Sequence, residues 1–228
     1  MDNIDLDGTT AMSQRMNSHI QSIVTVLLIG GLLFGSAGTV NILSFWLYLV
    51  VFAGICIAGV VLIDPSLAKE RRQERLAIRH MLALTLVLAH WAIAGLDRGR
   101  LHWSDTVPRA IQLLALMLFA MALGLGLWAG RENRFATALV RIQEDRGHHV
   151  ITSGPYAFVR HPGYAAALVF FLMSGVALGS WLAALLGAIG LPFLLWRTVA
   201  EDRFLHENLA GYREYAQRVR YRLVPRVW

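Results

Sequence analysis

Residues 150–164 concentrate side chains that could do chemistry. The stretch contains Gly-Pro and Pro-Gly turn formers, the cation Arg160, the titratable ring of His161 and the phenols of Tyr156 and Tyr164. A simple connector between two apolar segments does not require this combination. We therefore predict that the stretch forms half of a ligand site.

A second pair of charged residues, Arg197 and Glu201, follows downstream. They are four residues apart, so on a helix they share one face. One interpretation is an ion pair that anchors a helix end at a membrane surface. The other is that Arg197 holds an anionic group of a substrate while Glu201 accepts a hydrogen bond from a cationic or polar ligand. Spacing alone leaves both interpretations open.

The histidines His148, His149 and His161 raise the question of a metal site. Their spacing comes without the nearby carboxylates that are typical of zinc and iron sites, so we expect no metal. The single cysteine, Cys56, lies inside an apolar run and is expected to pack as a small hydrophobic residue.

The composition indicates which elements must position these groups. The chain has 228 residues, of which 56% are hydrophobic and 16% are charged. Soluble domains carry about 25% charged residues, so this is the composition of a polytopic membrane protein. The net charge of +6 does not indicate nucleic-acid binding, because the charges flank apolar runs.

Six apolar runs predict about six transmembrane helices in one all-α domain over residues 1–228. Each is long enough, or nearly so, to cross a hydrocarbon core of about 30 Å. Short links predict tight helical hairpins, and the basic, amphipathic segment 201–228 predicts a surface helix. Acidic residues are absent from the run interiors, which argues against an ion-coupled transporter. The predicted runs are 20–40, 43–63, 78–96, 108–130, 162–179 and 181–200.

Three further expectations concern the N-terminal half. Residues 1–19 are polar and are expected to be flexible or to lie on the membrane surface. The glycines Gly30, Gly31, Gly35 and Gly38 are expected to let the first helix approach a neighbour closely. His80 and His90, near the ends of the third run, are expected to act as interfacial or capping groups.

Lys and Arg are distributed unevenly between the two ends of these runs. Of the 21, 18 lie on the side that carries both termini and the links 64–80 and 131–161, and three lie on the other side. The positive-inside rule places both termini and the candidate site in the cytosol. For a prokaryotic chain this membrane would be the plasma membrane.

Four motifs together resemble the isoprenylcysteine carboxyl methyltransferase family. That family belongs to a wider group of integral-membrane methyltransferases that includes phospholipid N-methyltransferases. The resemblance covers residues 133–228, which are identified as a methyltransferase-like catalytic half. The motifs are Gly154-Pro-Tyr-x-x-Val-Arg-His-Pro-x-Tyr164, Glu201-Asp-x-x-Leu205, Gly211-Tyr-x-x-Tyr215 and Arg218-Val…Arg222-Leu-Val-Pro225.

The resemblance implies S-adenosylmethionine as methyl donor and S-adenosylhomocysteine as product. It assigns Arg197 to the methyl-accepting substrate. Asp202 stands where relatives have a second glutamate, and Arg160 is interpreted as a headgroup or structural contact. The cofactor contacts implied by motif position are Gln143, His148, His149, Val150, Ile151, Tyr156, His161, Pro162, Gly163, Tyr164 and Glu201.

Methyl transfer to an anion needs positioning more than acid–base help. Arg197 therefore favours a carboxylate on a lipid or prenylated acceptor. An amine lipid such as phosphatidylethanolamine is one alternative, although an amine must lose a proton to a general base. A thiol or phenolic isoprenoid acceptor is another. An alternative of another class is a non-catalytic membrane scaffold or lipid-binding protein.

Overall fold

The computed structural model describes residues 3–63, 78–136 and 141–228, and every regular element in these ranges is helical. A π-helical turn at Asp97–Leu101 follows α3, and 3-10 turns at Glu144–Arg146 and Gly154–Ala157 lie between α4 and α5. The α-helices are α1 Asn3–Ala37, α2 Leu43–Leu62, α3 Ile78–Leu96, α4 Arg109–Glu132, α5 Pro162–Leu178, α6 Trp181–Ile189, α7 Leu191–Asn208 and α8 Tyr212–Arg218.

The predicted polytopic membrane bundle is confirmed, since each of the six apolar runs is helical. Among the described residues, four passes are long and apolar enough to cross a membrane: residues 12–37 of α1, α2, α4, and α6 with α7 as one pass. α5 is apolar but shorter, with 17 residues. The last pass is divided at Gly190 because Pro192, in the first turn of α7, has no N–H to continue the helical ladder.

The N-terminal segment 1–19, which was expected to be flexible or to lie on the membrane surface, is helical over most of its length, since α1 begins at Asn3. An established apolar helix extends by one hydrogen bond for each residue added, and residues 3–19 contain no proline to stop it. The predicted link over residues 64–80 lies largely outside the described residues.

α1 packs closely against α3 and the turn that follows α3, and two glycines that were not predicted lie at this contact. A Cβ atom on Gly95 would collide with the Leu33 carbonyl, and one on Gly99 would collide with Ala37. Gly31 and Gly35 of α1 have no such neighbour within 4 Å. A Cβ atom on Gly38 would lie 2.8 Å from the Arg100 side chain, and one on Gly30 would lie 3.4 Å from that of Leu49, so the prediction was right for these two glycines and wrong for Gly31 and Gly35.

His90 lies inside the bundle, so the expectation of an interfacial group was wrong. Its Nδ1 is 2.9 Å from the Ala183 carbonyl, and its Nε2 is 2.8 Å from the Ser174 hydroxyl. The Ser174 hydroxyl also forms a hydrogen bond of 2.8 Å with the Tyr48 hydroxyl. The Tyr48 hydroxyl in turn accepts a hydrogen bond from the Trp91 indole N–H. These bonds connect α2, α3, α5 and α6, because a buried polar group must find partners inside the protein. The side chain of His80 lies outside the described residues.

One end of the bundle is closed by the hairpin between α5 and α6, as predicted. Gly179 ends α5 in the left-handed region, with φ of +88°. Ser180 then caps α6 by accepting from the Ala183 N–H, and its hydroxyl donates to the fully buried carboxylate of Asp97. The start of α5 and the end of α7 therefore meet at the opposite end of the bundle, beside α8.

Candidate functional site

A pocket of about 440 Å³ lies at the end of the bundle where α5 begins and α7 ends. α5 supplies Gly163 and Tyr164, and α7 supplies Arg197 and Glu201. Residues 148–151 and Tyr156, in the irregular segment before α5, form one wall. Tyr212 and Tyr215 of α8 close the site. The volume is in the range of small-molecule and cofactor sites, about 300–1,000 Å³.

Tyr164 joins the two charged residues of α7. Its hydroxyl donates to Oε2 of Glu201 at 2.6 Å and accepts from Nε of Arg197 at 2.6 Å. The Arg197 guanidinium also lies 5.8 Å from the centre of the Tyr164 ring. Arg197 and Glu201 thus share one face, as predicted, and the phenol of α5 lies between them. The pocket presents an anion-binding guanidinium and a cation-binding carboxylate side by side.

Asp202 lies directly behind this face and is 1% exposed. Its carboxylate accepts two bonds from Arg160, from Nε at 2.8 Å and from Nη2 at 3.0 Å. It also accepts from Tyr212 at 2.9 Å and from Arg222 at 2.8 Å, and Nε2 of His161 lies 3.1 Å away. Five polar contacts from four side chains therefore converge on one buried charge. They link the start of α5, the end of α7, α8 and the segment after α8.

The segment after α8 pairs directly with the start of α5. The Arg160 N–H donates to the Tyr221 carbonyl, and the His161 N–H donates to the Arg222 carbonyl, both at 2.9 Å. Nη1 of Arg160 donates to the carbonyls of Val219 and Arg220. Arg160 is thus a structural contact, which was one of its two predicted roles.

Burial and charge set the electrostatics behind the pocket. Burial acts to lower the pKa of Arg160, but the hydrogen bonds and charge of Asp202 outweigh it, so the pKa is raised. Burial, followed by the charge of Asp202, raises the pKa of Tyr212 well above its usual range. Burial also raises the pKa of Tyr215. Arg160 is therefore held charged and both phenols are held neutral, so Tyr212 acts as a hydrogen-bond donor to Asp202.

An aromatic wall lies on the opposite side of the pocket. Phe135 is 4% exposed and stacks on His148, with ring centres 4.4 Å apart, while His149 meets its edge. Burial, followed by repulsion from His149 and Arg146, lowers the pKa of His148. His148 is therefore a neutral ring near pH 7.

Two of the predicted contacts lie outside the pocket lining. Gln143 is fully buried, and its side-chain amide donates to the Phe135 backbone carbonyl at 2.8 Å. The backbone carbonyl of Gln143 accepts from the backbone N–H of His148. It therefore fixes the aromatic wall from behind. Pro162 is buried at the first position of α5, where its fixed φ suits the helix start.

The structure brings the other predicted residues together around the pocket. Sequence reasoning missed Phe135, Tyr212 and Tyr215 as lining residues and Asp202 as the centre of the network. Among the described residues, no group of three or more His, Cys, Asp and Glu side chains is arranged to hold a metal ion. The predicted residues that line the pocket are His148, His149, Val150, Ile151, Tyr156, His161, Gly163, Tyr164, Arg197 and Glu201.

A polytopic helical bundle with these apolar passes is the architecture of an integral membrane protein, and its polar, partly aromatic pocket has the size of a small-ligand site. The family model of the isoprenylcysteine carboxyl methyltransferase (ICMT) family matches residues 113–207 of this chain. The resemblance that the motifs indicated is thereby confirmed. The match begins within α4, earlier than residue 133, and ends before α8.

Three characterised relatives extend the comparison. The nickel-cobalt-cadmium resistance protein NccN of Alcaligenes xylosoxydans xylosoxydans is 23% identical over 156 residues, which cover 68% of this chain and 69% of the relative. The cobalt-zinc-cadmium resistance protein CzcN of Cupriavidus metallidurans is 28% identical over 152 residues, covering 65% and 66%. Protein-S-isoprenylcysteine O-methyltransferase B of Arabidopsis thaliana is 32% identical over 93 residues, covering 38% of this chain and 45% of the plant protein. The alignments thus span about two thirds of the bacterial relatives and less than half of the plant protein.

Proposed function

We propose that this protein is an integral-membrane methyltransferase that transfers a methyl group from S-adenosylmethionine to a lipidic carboxylate. The observation that carries the proposal is that Arg197 and Glu201 line one pocket, with Tyr164 bonded to both. The match to the family over residues 113–207 supports the reaction class. Residues 133–228 would form the catalytic half of a single membrane domain.

The residues around the pocket fit such a methyl donor. A donor of this type carries an ammonium group, a carboxylate and an adenine ring. Glu201 would accept from the ammonium group, and the Phe135–His148 wall offers an aromatic surface to a flat ring. Backbone groups of Val150 and Ile151, which also line the pocket, would bind further polar atoms.

The reaction would be an in-line displacement. S-adenosylmethionine would supply an electrophilic methyl group on a cationic sulfur. The acceptor's carboxylate oxygen would bond to this methyl group as the carbon–sulfur bond breaks, which gives a methyl ester and S-adenosylhomocysteine. Arg197 would orient the acceptor carboxylate through its planar guanidinium. Tyr164 holds Nε of Arg197, which limits the orientations of that guanidinium. Holding both reactants in position accounts for about 7–11 kcal/mol of the barrier in well-oriented cases.

The acceptor would enter from the bilayer. Leu194 and Ala167 belong to membrane helices α7 and α5 and also line the pocket, so apolar surface continues from the polar site towards the membrane core. Such a site suits a lipid or prenylated acceptor, whereas the methyl donor is soluble. The uneven distribution of Lys and Arg supports a cytosolic position for the site.

Cofactor binding to the purified protein in detergent tests the proposal. We expect S-adenosylmethionine and S-adenosylhomocysteine to bind in the micromolar range by titration calorimetry. Supplying labelled methyl donor with membrane extract should then label a lipid or a prenylated protein as a base-labile ester. No binding by calorimetry and no thermal shift would refute the proposal, and a base-stable label on an amine lipid would favour the phospholipid N-methyltransferase.

The role of Arg197 is tested separately. Arg197→Ala should abolish most of the turnover while the affinity for S-adenosylhomocysteine stays near that of the wild type. Arg203→Ala is the matched control, because Arg203 is exposed on the same helix and does not line the pocket. Equal losses of turnover and cofactor affinity in Arg197→Ala would instead place Arg197 in the cofactor site.

A further inference from the structure

Asp202 cannot act on a ligand directly. It is 1% exposed and does not line the pocket, whereas its neighbour Glu201 does. Successive helical residues point about 100° apart, so the two carboxylates face different ways. Any effect of Asp202 on the pocket must pass through the side chains bonded to it.

Three of these side chains, those of Arg160, His161 and Tyr212, also line the pocket, and His161 is the one with a ring nitrogen that faces Glu201. Nε2 of His161 faces the carboxylate oxygen Oδ1 of Asp202 at 3.1 Å and the hydroxyl oxygen of Tyr212 at 3.4 Å. The Tyr212 hydroxyl uses its proton to donate to Asp202 at 2.9 Å. Both neighbours of Nε2 are therefore acceptors, so Nε2 carries the proton and donates.

In the neutral ring, the other nitrogen then has a lone pair towards Glu201. Nδ1 of His161 lies 3.9 Å from Oε1 of Glu201. This separation is too long for a direct hydrogen bond, and both atoms are acceptors. The opposite oxygen of Glu201, Oε2, already accepts from Tyr164. Two acceptors at this separation suit a group that donates to both, and a primary ammonium has three N–H donors.

We propose that Asp202 is a positioning residue: it fixes the tautomer of His161 in which Nδ1 is an acceptor, so that Nδ1 and Glu201 together bind the ammonium group of an amino-acid ligand. The inference rests on the proposed function in taking the methyl donor as that ligand. It assigns the adjacent acidic residues different tasks. Glu201 contacts the ligand, and Asp202 orients the imidazole beside it.

Asp202→Asn tests this directly. Oδ2 accepts from two guanidinium groups, those of Arg160 and Arg222, whereas Oδ1 accepts from one, that of Arg160, and from the Tyr212 hydroxyl, which can rotate. The amide oxygen is therefore favoured at the Oδ2 position, and the amide nitrogen faces His161. A donor at that position inverts the tautomer, which places the proton on Nδ1 and turns it towards the ligand. Nitrogen-15 NMR of histidine-labelled protein without ligand, at alkaline pH, distinguishes the two tautomers. The chain has eight histidines, so His161→Gln assigns the signal.

The binding readout compares two ligands that share the adenosine part. S-adenosylhomocysteine has the amino-acid group, and 5′-methylthioadenosine lacks it. We expect Asp202→Asn to weaken S-adenosylhomocysteine about tenfold or more, the loss typical of one charged hydrogen bond. Binding of 5′-methylthioadenosine should change less than about twofold, because it makes no contact with the ammonium site. Asp202→Glu, which keeps the carboxylate, should keep the wild-type tautomer and most of the affinity.

Asp97→Asn is the matched control, since Asp97 is a fully buried, hydrogen-bonded carboxylate at the opposite end of the bundle. It should leave the His161 signal and both affinities unchanged. A proton on Nδ1 in the wild type, or equal losses for both ligands in Asp202→Asn, would overturn the inference. If Asp202→Asn does not fold, the tautomer of His161 in the wild type still tests the inference, which requires the proton on Nε2. Failure of the wild type to bind either ligand would instead overturn the proposed function.

Discussion

Replacing Arg160 should destabilise the protein far more than replacing Arg222, although both donate to Asp202 at 2.8 Å. The Arg160 side chain is 6% exposed, makes two bonds to the carboxylate and makes two more to backbone carbonyls. Removing one partner of such a buried pair costs about 3–5 kcal/mol. The Arg222 side chain is 33% exposed and makes one bond to the carboxylate, for which about 1 kcal/mol is expected.

The assay compares Arg160→Met with Arg222→Met by unfolding in mixed micelles with increasing sodium dodecyl sulfate, followed by circular dichroism. Methionine keeps a long apolar side chain in both variants and removes only the guanidinium. We expect the two free energies of unfolding to differ by at least about 2 kcal/mol, or about thirtyfold in the unfolding constant. Equal losses, or a larger loss for Arg222→Met, would refute the argument that burial makes Arg160 the main partner of Asp202.

Three further predictions concern other parts of the molecule. Gly163 lines the pocket, and a Cβ atom there would meet nothing within 4 Å. Gly163→Leu should therefore keep the fold but abolish cofactor binding by calorimetry. Gly31→Leu, which also projects into open space but lies away from the pocket, should leave cofactor binding unchanged. His90→Leu leaves the Ser174 hydroxyl and a carbonyl with fewer partners, which should cost about 1–3 kcal/mol in the same micelle assay without changing cofactor affinity. Folding lowers the pKa of His148, so the folded protein loses stability as the pH falls below the unfolded value of about 6.5 and loses none of it from this group above that pH. His148→Phe should therefore make the free energy of unfolding fall less steeply with decreasing pH. An unchanged dependence on pH would contradict the assignment.

The helices could be predicted from the sequence because the apolar runs that define them are local. Each predicted run is helical, and the ends agree within a few residues wherever a proline or a left-handed glycine such as Gly179 stops the chain. The N-terminal boundary of α1 was missed because no such residue marks it. The division of the last pass at Gly190 was also missed, although Pro192 was a signal for it.

Side-chain partners were predicted less well, since they depend on contacts between residues far apart in the chain. His90 bonds to residues 84 and 93 positions away, so its burial could not be inferred from its place near the end of a run. The different surroundings of Glu201, which lines the pocket, and Asp202, which is buried, did have a signal. Adjacent residues of a helix face different ways, and a second carboxylate among basic residues required buried partners.

The backbone pairing of Arg160 and His161 with Tyr221 and Arg222 has a consequence for biosynthesis. All of the membrane helices precede residue 212 in the chain, so they emerge from the ribosome before the segment that completes the site. At about 5–20 residues per second, residue 222 follows residue 202 by about one to four seconds. During that interval Asp202 has been made but Arg222 has not. The contacts that complete the site can therefore form only after the chain has been made as far as residue 222, which makes closure of the pocket a late step of assembly.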